Sequence, residues 1–361
     1  MIALRNLAVG GLGLIAACSP ATPPESAGFV YRLGVDTVAV ASVTWSKNKV
    51  QGVYVNRVPA TAVVRWNADV DESGKVRRLE RVHTTGDSVT ERVLITLAGD
   101  SATIQRQVGD STTTRRFAAA PVAVPRHPAT DAGLLELRTR QLVASGMNEV
   151  MGESFSTGDT LSAADTLRRV APDTVVVPGP RLVIDSAGRI LKLGENAERA
   201  AVDIEALAAA FRSRPLGELS PRDSVAATIG GANVSMAYGS PRKRGREVFG
   251  ALVPWNRPWR TGANNATFFT TDKDIRAGSV RVPAGKYSVF TIPGQSGWTL
   301  LLSKNLGDNA AAYDSTTIVA RIPMQSGTAA TPAERLTFEI APDGMLHLTW
   351  DTVSASVQLR R

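Results

Sequence analysis

Short segments of alternating polar and apolar residues, separated by Gly, Asp and Pro turn chemistry, run along most of this chain. They leave room for only two helix-length stretches. Side chains alternate across a strand with period two, so such segments are expected to fold as half-buried β-strands. Strand-like text extends from Phe29 to about Gln107. Within it, Ala62–Val70 and Lys75–Val82 flank Asp71-Glu72-Ser73-Gly74 and read as a hairpin. Glu91–Leu97 and Ser101–Val108 flank Ala98-Gly99-Asp100 in the same way, and Arg181–Leu193 turns at Asp185 to Gly188.

Helical spacing occurs from Asp131 to Ser145, through Leu134, Leu135, Leu137, Leu142 and Val143, with Thr130 or Asp131 placed to cap it. A second stretch, Ala197 to Arg212, is stopped by Pro215. Residues 28–215 are therefore expected to form an α+β domain, an antiparallel sheet with one or two packed helices. Near Leu216 to Ser224 the text changes, and strands punctuated by Gly and Pro continue to the C-terminus without a helix. That pattern predicts a β-sandwich or barrel over residues 222–361. The expected fold class is mainly β with some α: an N-terminal antiparallel sheet and a C-terminal β-sandwich.

The first residues carry different information. Arg5 precedes an apolar run from Leu7 to Ala17, the charge and length pattern of a secretory signal. The run is too short for the ~20 apolar residues of a membrane-spanning helix. It ends Ile15-Ala16-Ala17-Cys18, which resembles the bacterial lipobox, and Cys18 is the sole cysteine. The resemblance implies a signal peptide over residues 1–17 and a lipid on Cys18 that partners a membrane. A Pro- and Ser-rich tether over residues 18–27 would follow. Ser19, rather than Asp, favours an outer-membrane address facing the periplasm. With Cys18 acylated no cysteine remains for a disulfide, so burial and hydrogen bonds must supply the stability.

A formal charge of +8 suits anionic lipid, acidic polysaccharide or nucleic acid, but no nucleic-acid motif accompanies it and no such partner is expected. An Arg-rich soluble surface explains the charge better than any specific polyanion. At 43% hydrophobic and 20% charged residues the chain is globular in character.

The most distinctive text lies between Ser240 and Asn305: SPRKRGREVFGALVPW, PWRTGANNAT, VPAGKYSVFTIP and GWTLLLSKN, with Glu334 to Phe338 and Trp350-Asp351 further on. These blocks, in this order, resemble the bacterial family known as domain of unknown function 2911, over roughly residues 225–361. The resemblance implies an extracytoplasmic, mainly β domain and no defined activity. One departure is Asn265, where Glu is frequent in the family.

Within those blocks, Arg242 to Thr267 carries Arg242, Lys243, Arg244, Arg246, Arg257 and Arg260 against one acid, Glu247. Guanidinium forks suit carboxylate or phosphate, indoles stack on sugar faces, and Asn brackets hydroxyls. Arg246, Trp255, Trp259, Arg260, Asn264 and Asn265 are the candidate residues for a glycan or anionic envelope ligand. Structural roles compete with that reading: Trp between prolines can plug a sandwich end, and Arg246 or Arg260 can pair with Glu247.

Catalytic text is sparse. His83, His127 and His347 lack metal-ligand spacing, and no Walker loop, dinucleotide fingerprint or G-x-S-x-G elbow is present. Asp272 and Asp274 read first as turn residues, and His347 with Asp351 has no triad spacing. No cofactor, metal or catalytic residue is expected. A non-catalytic binding module leads. A hydrolase of envelope polymer, acting through Arg260, Asn264 and nearby acids, and a lipid- or lipoprotein-carrying half-barrel in the N-terminal domain are the alternatives.

Overall fold

The computed structural model describes residues 24–120, 123–156, 163–308 and 310–361. Cys18, with the rest of residues 1–23, lies outside the described residues. The chain is mainly β with some α. Eight strands in succession form an antiparallel meander: β1 (Glu25–Leu33), β2 (Asp36–Ser46), β3 (Lys49–Asn56), β4 (Ala62–Val70), β5 (Val76–Thr85), β6 (Ser88–Ala98), β7 (Ser101–Val108) and β8 (Ser111–Ala118). Both hairpins expected between residues 62 and 108 are present.

Then come β9 (Ala123–Arg126), α1 (Pro128–Ser145) and a series of short strands. These are β10 (Glu149–Val150), β11 (Glu153–Ser156), β12 (Ala163–Ala164), β13 (Leu167–Ala171), β14 (Thr174–Val176), β15 (Arg181–Ile184), β16 (Ile190–Leu193) and β17 (Ala197–Arg199). β17 pairs back onto β1, placing Phe29 opposite Arg199, so one sheet of 14 strands has β1 inside it and β8 and β10 at its edges. β9, β11 and β12 form a separate three-stranded sheet.

Helix α1 is buried almost all round, as expected for a helix cradled by a curved sheet rather than lying on its surface. Its apolar side chains share one core with Phe29, Val43, Trp45, Trp66 and Ile95 on the inner face of the strands. Trp45 donates from Nε1 to the Gly133 carbonyl at 3.1 Å. A Cβ at Gly133 would stand 2.7 Å from the Trp66 ring, so glycine permits this approach. Glu136 of α1 is fully buried, accepting from Arg199 at 3.2 Å and from the Ile190 N–H at 3.0 Å, with Arg140 also paired to it. Burial pushes its carboxyl up, and these partners oppose that shift. Asp165 is likewise buried between Arg138 at 3.0 Å and Arg126 at 3.3 Å. Ionised groups survive such burial only when paired in this way.

The second helix, α2 (Ile204–Ser213), packs Ala208 and Phe211 on the opposite face of the sheet, against Val30, Val40, Val55 and Val63. It starts seven residues later than its spacing predicts. Ala197 to Arg199 are drawn into strand pairing with β1 and β16, and Asp203 caps the helix through Oδ1 to the Ala206 N–H at 3.0 Å. The expected tether is also shorter at its C-terminal end. Glu25 to Ala27 already pair with Trp45 to Val43, and Glu25 reaches Arg140 at 2.7 Å.

Among the described residues, the C-terminal strands share no hydrogen-bond ladder with the first sheet. They are β18 (Arg222–Ile229), β19 (Ala232–Gly239), β20 (Phe268–Thr271), β21 (Ile275–Ala277), β22 (Val280–Val282), β23 (Gly285–Ile292), β24 (Trp298–Ser303), β25 (Ile318–Ile340) and β26 (Met345–Arg360). They form one nine-stranded antiparallel sheet. The sheet rolls over at the long β25, whose first half pairs with β24 and whose second half pairs with β26. That second half also meets the other end of the sheet: the Phe338 N–H donates to Tyr238 Oη at 3.1 Å. Met236, Tyr238, Tyr287, Leu300, Leu336 and Leu348 therefore face a single core.

Candidate functional site

The stretch from Ser240 to Thr267 leaves the sheet between β19 and β20 and is held by polar anchors. Arg244, Asn256, Thr261 and Asn264 all have left-handed backbone, with φ between 51° and 60°, which breaks any strand continuing through it. Its basic run is used internally. Lys243 pairs with Asp351 at 2.5 Å and donates its N–H to the Glu334 carbonyl at 2.7 Å. Arg246 donates to the carbonyls of Lys243 at 3.0 Å and Arg242 at 2.7 Å, and burial lowers its pKa. Arg244, only 7% exposed, pairs with Asp36 at the start of β2, and its carbonyl accepts from the Val35 N–H at 3.0 Å. This run is a clasp between the two sheets.

The tryptophans occupy a second place. Trp255 packs on Phe249, with ring centroids 5.5 Å apart, and Phe249 also meets Trp298 and Trp350. Trp259 stacks on Trp350 at 6.0 Å, and its backbone exchanges hydrogen bonds with Thr291 of β23 at 2.8 and 2.9 Å. Both indoles are half-buried, each with one face against this aromatic cluster.

The third place is a turn at residues 261–267. The Thr261 hydroxyl donates to the Trp259 carbonyl at 3.0 Å and lies 3.1 Å from the Thr291 hydroxyl. Thr267 Oγ1 donates back to the Thr261 carbonyl at 2.8 Å. Gly239 passes beneath, where a Cβ would lie 2.1 Å from the Ala263 carbonyl oxygen. The stapled turn leaves Asn264, Asn265 and Arg260 exposed. Arg260 sits 3.4 Å from the Asn264 carbonyl, and Asn264 Nδ2 is 3.4 Å from the Ser220 carbonyl. Asn264 and Asn265 line a groove of about 480 Å³ with Glu218, Ser220, Arg222 and, from the β3–β4 loop, Pro59. The six candidate residues thus fall in three places, and only the two asparagines line this groove.

Residues 220–359 match the family described as protein of unknown function (DUF2911). The resemblance carried by the blocks from Ser240 onward holds, and the DUF2911 match opens just before β18. No curated protein matches the chain. Among solved structures, it is similar to a DUF1089 family protein from Pseudomonas aeruginosa at 9% identity and a TM-score of 0.34, covering 46% of this chain and 95% of that one. It is also similar to a beta-barrel-like protein of domain of unknown function DUF1849 from Brucella abortus, at 10% identity and a TM-score of 0.31, covering 50% of this chain and 96% of that one.

The carboxylates that drew attention in the DUF2911-like part have structural partners. Asp272 accepts from the Asn233 N–H at 2.7 Å and Nδ2 at 2.8 Å; Asp274 accepts from the Ala284 N–H at 2.8 Å and pairs with Arg281 at 2.5 Å. These hydrogen bonds lower both pKa values. Asp351 is committed to Lys243. Among the described residues no group of three or more His, Cys, Asp and Glu is placed to hold a metal ion.

Spacing along the chain did not reveal a polar cluster inside the N-terminal sheet. His83 of β5 and His127 at the start of α1 stand 5.4 Å apart, edge to face. Glu91 of β6 lies 3.3 Å from His83 Nε2 and 2.5 Å from Arg106 Nε of β7. His127 Nδ1 accepts from the Ala129 N–H at 3.1 Å and caps α1. Burial, then the charge of Arg81, brings the His127 pKa down to about 3; burial lowers that of His83 as well. Both rings are neutral at neutral pH. The only sequence signal for the cluster was the inward period of β5 to β7, which sets Arg81 and His83, Glu91, and Arg106 on the face that elsewhere carries Leu79, Ile95 and Ile104.

Proposed function

We propose that this chain is a non-catalytic binding protein of the bacterial envelope, tethered through lipid on Cys18. It takes a polar, glycan-like or anionic ligand in the groove beside Asn264 and Asn265. The observation that carries this reading is the turn at residues 261–267. Three hydroxyl contacts and a close glycine hold it, and it presents two exposed amides to a groove between the sheets. Junctions of this kind are favoured positions for ligand sites. Adjacent amides match the donor and acceptor pattern of sugar hydroxyls, while Arg222 and nearby Arg260 supply positive charge. The lipobox-like text ending at Cys18 supports the address.

The ligand surface here is narrower than the stretch Arg242 to Thr267, because the basic run clasps the sheets and the indoles pack on Phe249 and Trp350. The hydrolase reading gains no support, since Asp272, Asp274 and Asp351 are each committed to structural partners. The carrier reading loses ground because α1, with Trp45 and Trp66, occupies the inner face where an acyl chain would lie.

The test is a glycan array and calorimetric titration with the Cys18→Ser chain, repeated with Asn264→Ala/Asn265→Ala. Binding that falls at least tenfold in the double variant and persists in Arg246→Gln supports the groove. Equal binding by both proteins, or none by either, overturns it.

A further inference from the structure

The N-terminal sheet has two ends, and they are engaged differently. Strands β1 to β5 run alternately between them, so Glu25 at the start of β1 lies at one end and Leu33 at the other. The β2–β3 turn at 46–49 and the β4–β5 turn at 71–75 share the end of Glu25. Glu25 itself pairs with Arg140 of α1 at 2.7 Å, and Arg189, closing the turn that begins at Asp185, lies 4.0 Å from it. Gln141 donates to the Ser73 carbonyl, so α1 also finishes at this end, and the exposed Met147 follows directly.

The C-terminal sheet is fastened to the opposite end. Arg244 meets Val35 and Asp36, where β1 turns into β2. Arg57, just after β3, donates from Nε to the Arg214 carbonyl at 2.8 Å. Pro59, in the β3–β4 loop, lines the groove of Asn264 and Asn265. All of these lie at the Leu33 end. The eight residue steps of β1 set the two ends about 26 Å apart, at ~3.3 Å per residue.

The chain coming from Cys18 joins the sheet at the Glu25 end. Seven residue steps separate Cys18 from Glu25, a reach of at most ~25 Å at full extension. Inverting the molecule, to set the groove on a bilayer that holds Cys18, would lift Glu25 farther than that. The groove lies beyond the Leu33 end, so the whole length of β1 and the groove's own depth would have to be spanned.

We propose that the Glu25 end of the N-terminal sheet is the surface turned to the membrane, and that the groove at Asn264 and Asn265 opens away from it. The proposal rests on the lipid at Cys18 and deepens the reading of the groove. Its ligand is a glycan or anion presented from the aqueous compartment, and not a headgroup of the bilayer that carries the anchor. Met147 and the turns at 46–49, 71–75 and 185–189 are the parts that meet that bilayer.

The test uses the full chain, exported and acylated in a bacterial host and reconstituted in phosphatidylethanolamine–phosphatidylglycerol vesicles. One cysteine is added at an exposed turn and carries a bimane fluorophore, since an acylated Cys18 has no thiol to label. Lipids with a spin-labelled headgroup quench the fluorophore at short range. Asn48→Cys and Ser186→Cys, at the Glu25 end, should be quenched at least threefold more than Asp87→Cys and Asp110→Cys at the other. Equal quenching at all four positions, none at any, or the reverse order, in a chain that floats with the vesicles, overturns the orientation and leaves the anchor standing. A chain that does not float with the vesicles and whose Cys18 takes the fluorophore overturns the anchor and the orientation together.

Discussion

The imidazole of His127 accepts a hydrogen bond at Nδ1 from the backbone N–H of Ala129, so the first turn of α1 is capped by a ring that must stay neutral. A proton on Nδ1 would remove the acceptor and place a cation at the positive end of the helix. Burial and the nearby Arg81 act in the same direction, and the pKa falls to about 3.

The consequence is an acid limb of stability. The unfolded ring titrates near 6.5, so between that pH and about 3 the unfolded state binds the extra proton. Stability from His127 is complete above the unfolded pKa and is lost as pH falls toward the folded one. Its slope stays below ~1.4 kcal/mol per pH unit, the limit for one proton. Urea titrations at several pH values should show the parent chain losing stability below pH ~6.5, and His127→Asn, which keeps a neutral capping acceptor, losing less.

Glu136 pins α1 to the sheet from a fully buried position. Replacing it with Ala leaves Arg140 and Arg199 facing a void where their shared carboxylate was, and removal of one partner from a buried pair costs about 3–5 kcal/mol. Chemical denaturation of Glu136→Ala should show a loss of that order. Glu136→Gln, which keeps an acceptor for the Ile190 N–H, should lose less.

The stack of Trp259 on Trp350 makes a stability prediction that separates packing from recognition. Trp259→Ala removes most of a half-buried indole, for about 2–3 kcal/mol, somewhat less than a fully buried aromatic. Thermal melts should fall accordingly, while affinity at the Asn264 groove stays within twofold. A large loss of affinity with little loss of stability would return Trp259 to the ligand site.

Arg244 and Asp36 join the two sheets, and their interaction is read by a double-mutant cycle. Arg244→Met and Asp36→Asn should show a coupling energy of about 1–3 kcal/mol, as for partly buried charged hydrogen bonds. Calorimetry of Arg244→Met should show the melting of the two halves separating. A coupling near zero would mean that the clasp rests on the Val35 to Arg244 backbone bond alone.

The strands were legible wherever a turn residue announced them, as at Asp71 to Gly74 and Asp185 to Gly188, because local backbone chemistry sets those positions. α1 was legible from its leucines, but its cap was not. Histidine is an uncommon cap, and His127 serves because Pro128 follows it and Ala129 turns its N–H back. The start of α2 was misplaced because Ala197 to Arg199 favour a helix locally and are recruited as a strand by β1, some 170 residues earlier. Distance along the chain also hid the polar cluster. Nothing near His83 in sequence points to His127, and nothing near Trp259 points to Trp350. The loop from Ser240 to Thr267 stood out by composition, yet its basic residues divide between clasping and exposure according to partners 90 or more positions away.

The pairing of β17 with β1 has a consequence for biogenesis. The meander from β1 to β8 needs only neighbouring contacts and can assemble as it is synthesised. β1, the first of these strands to be made, keeps a bare edge until Arg199 arrives to close it. Contacts of such long sequence separation form slowly, and an unpaired edge invites pairing with another chain. A nascent or truncated chain ending before β17 is therefore expected to be the aggregation-prone form, with β1 as the strand through which it associates.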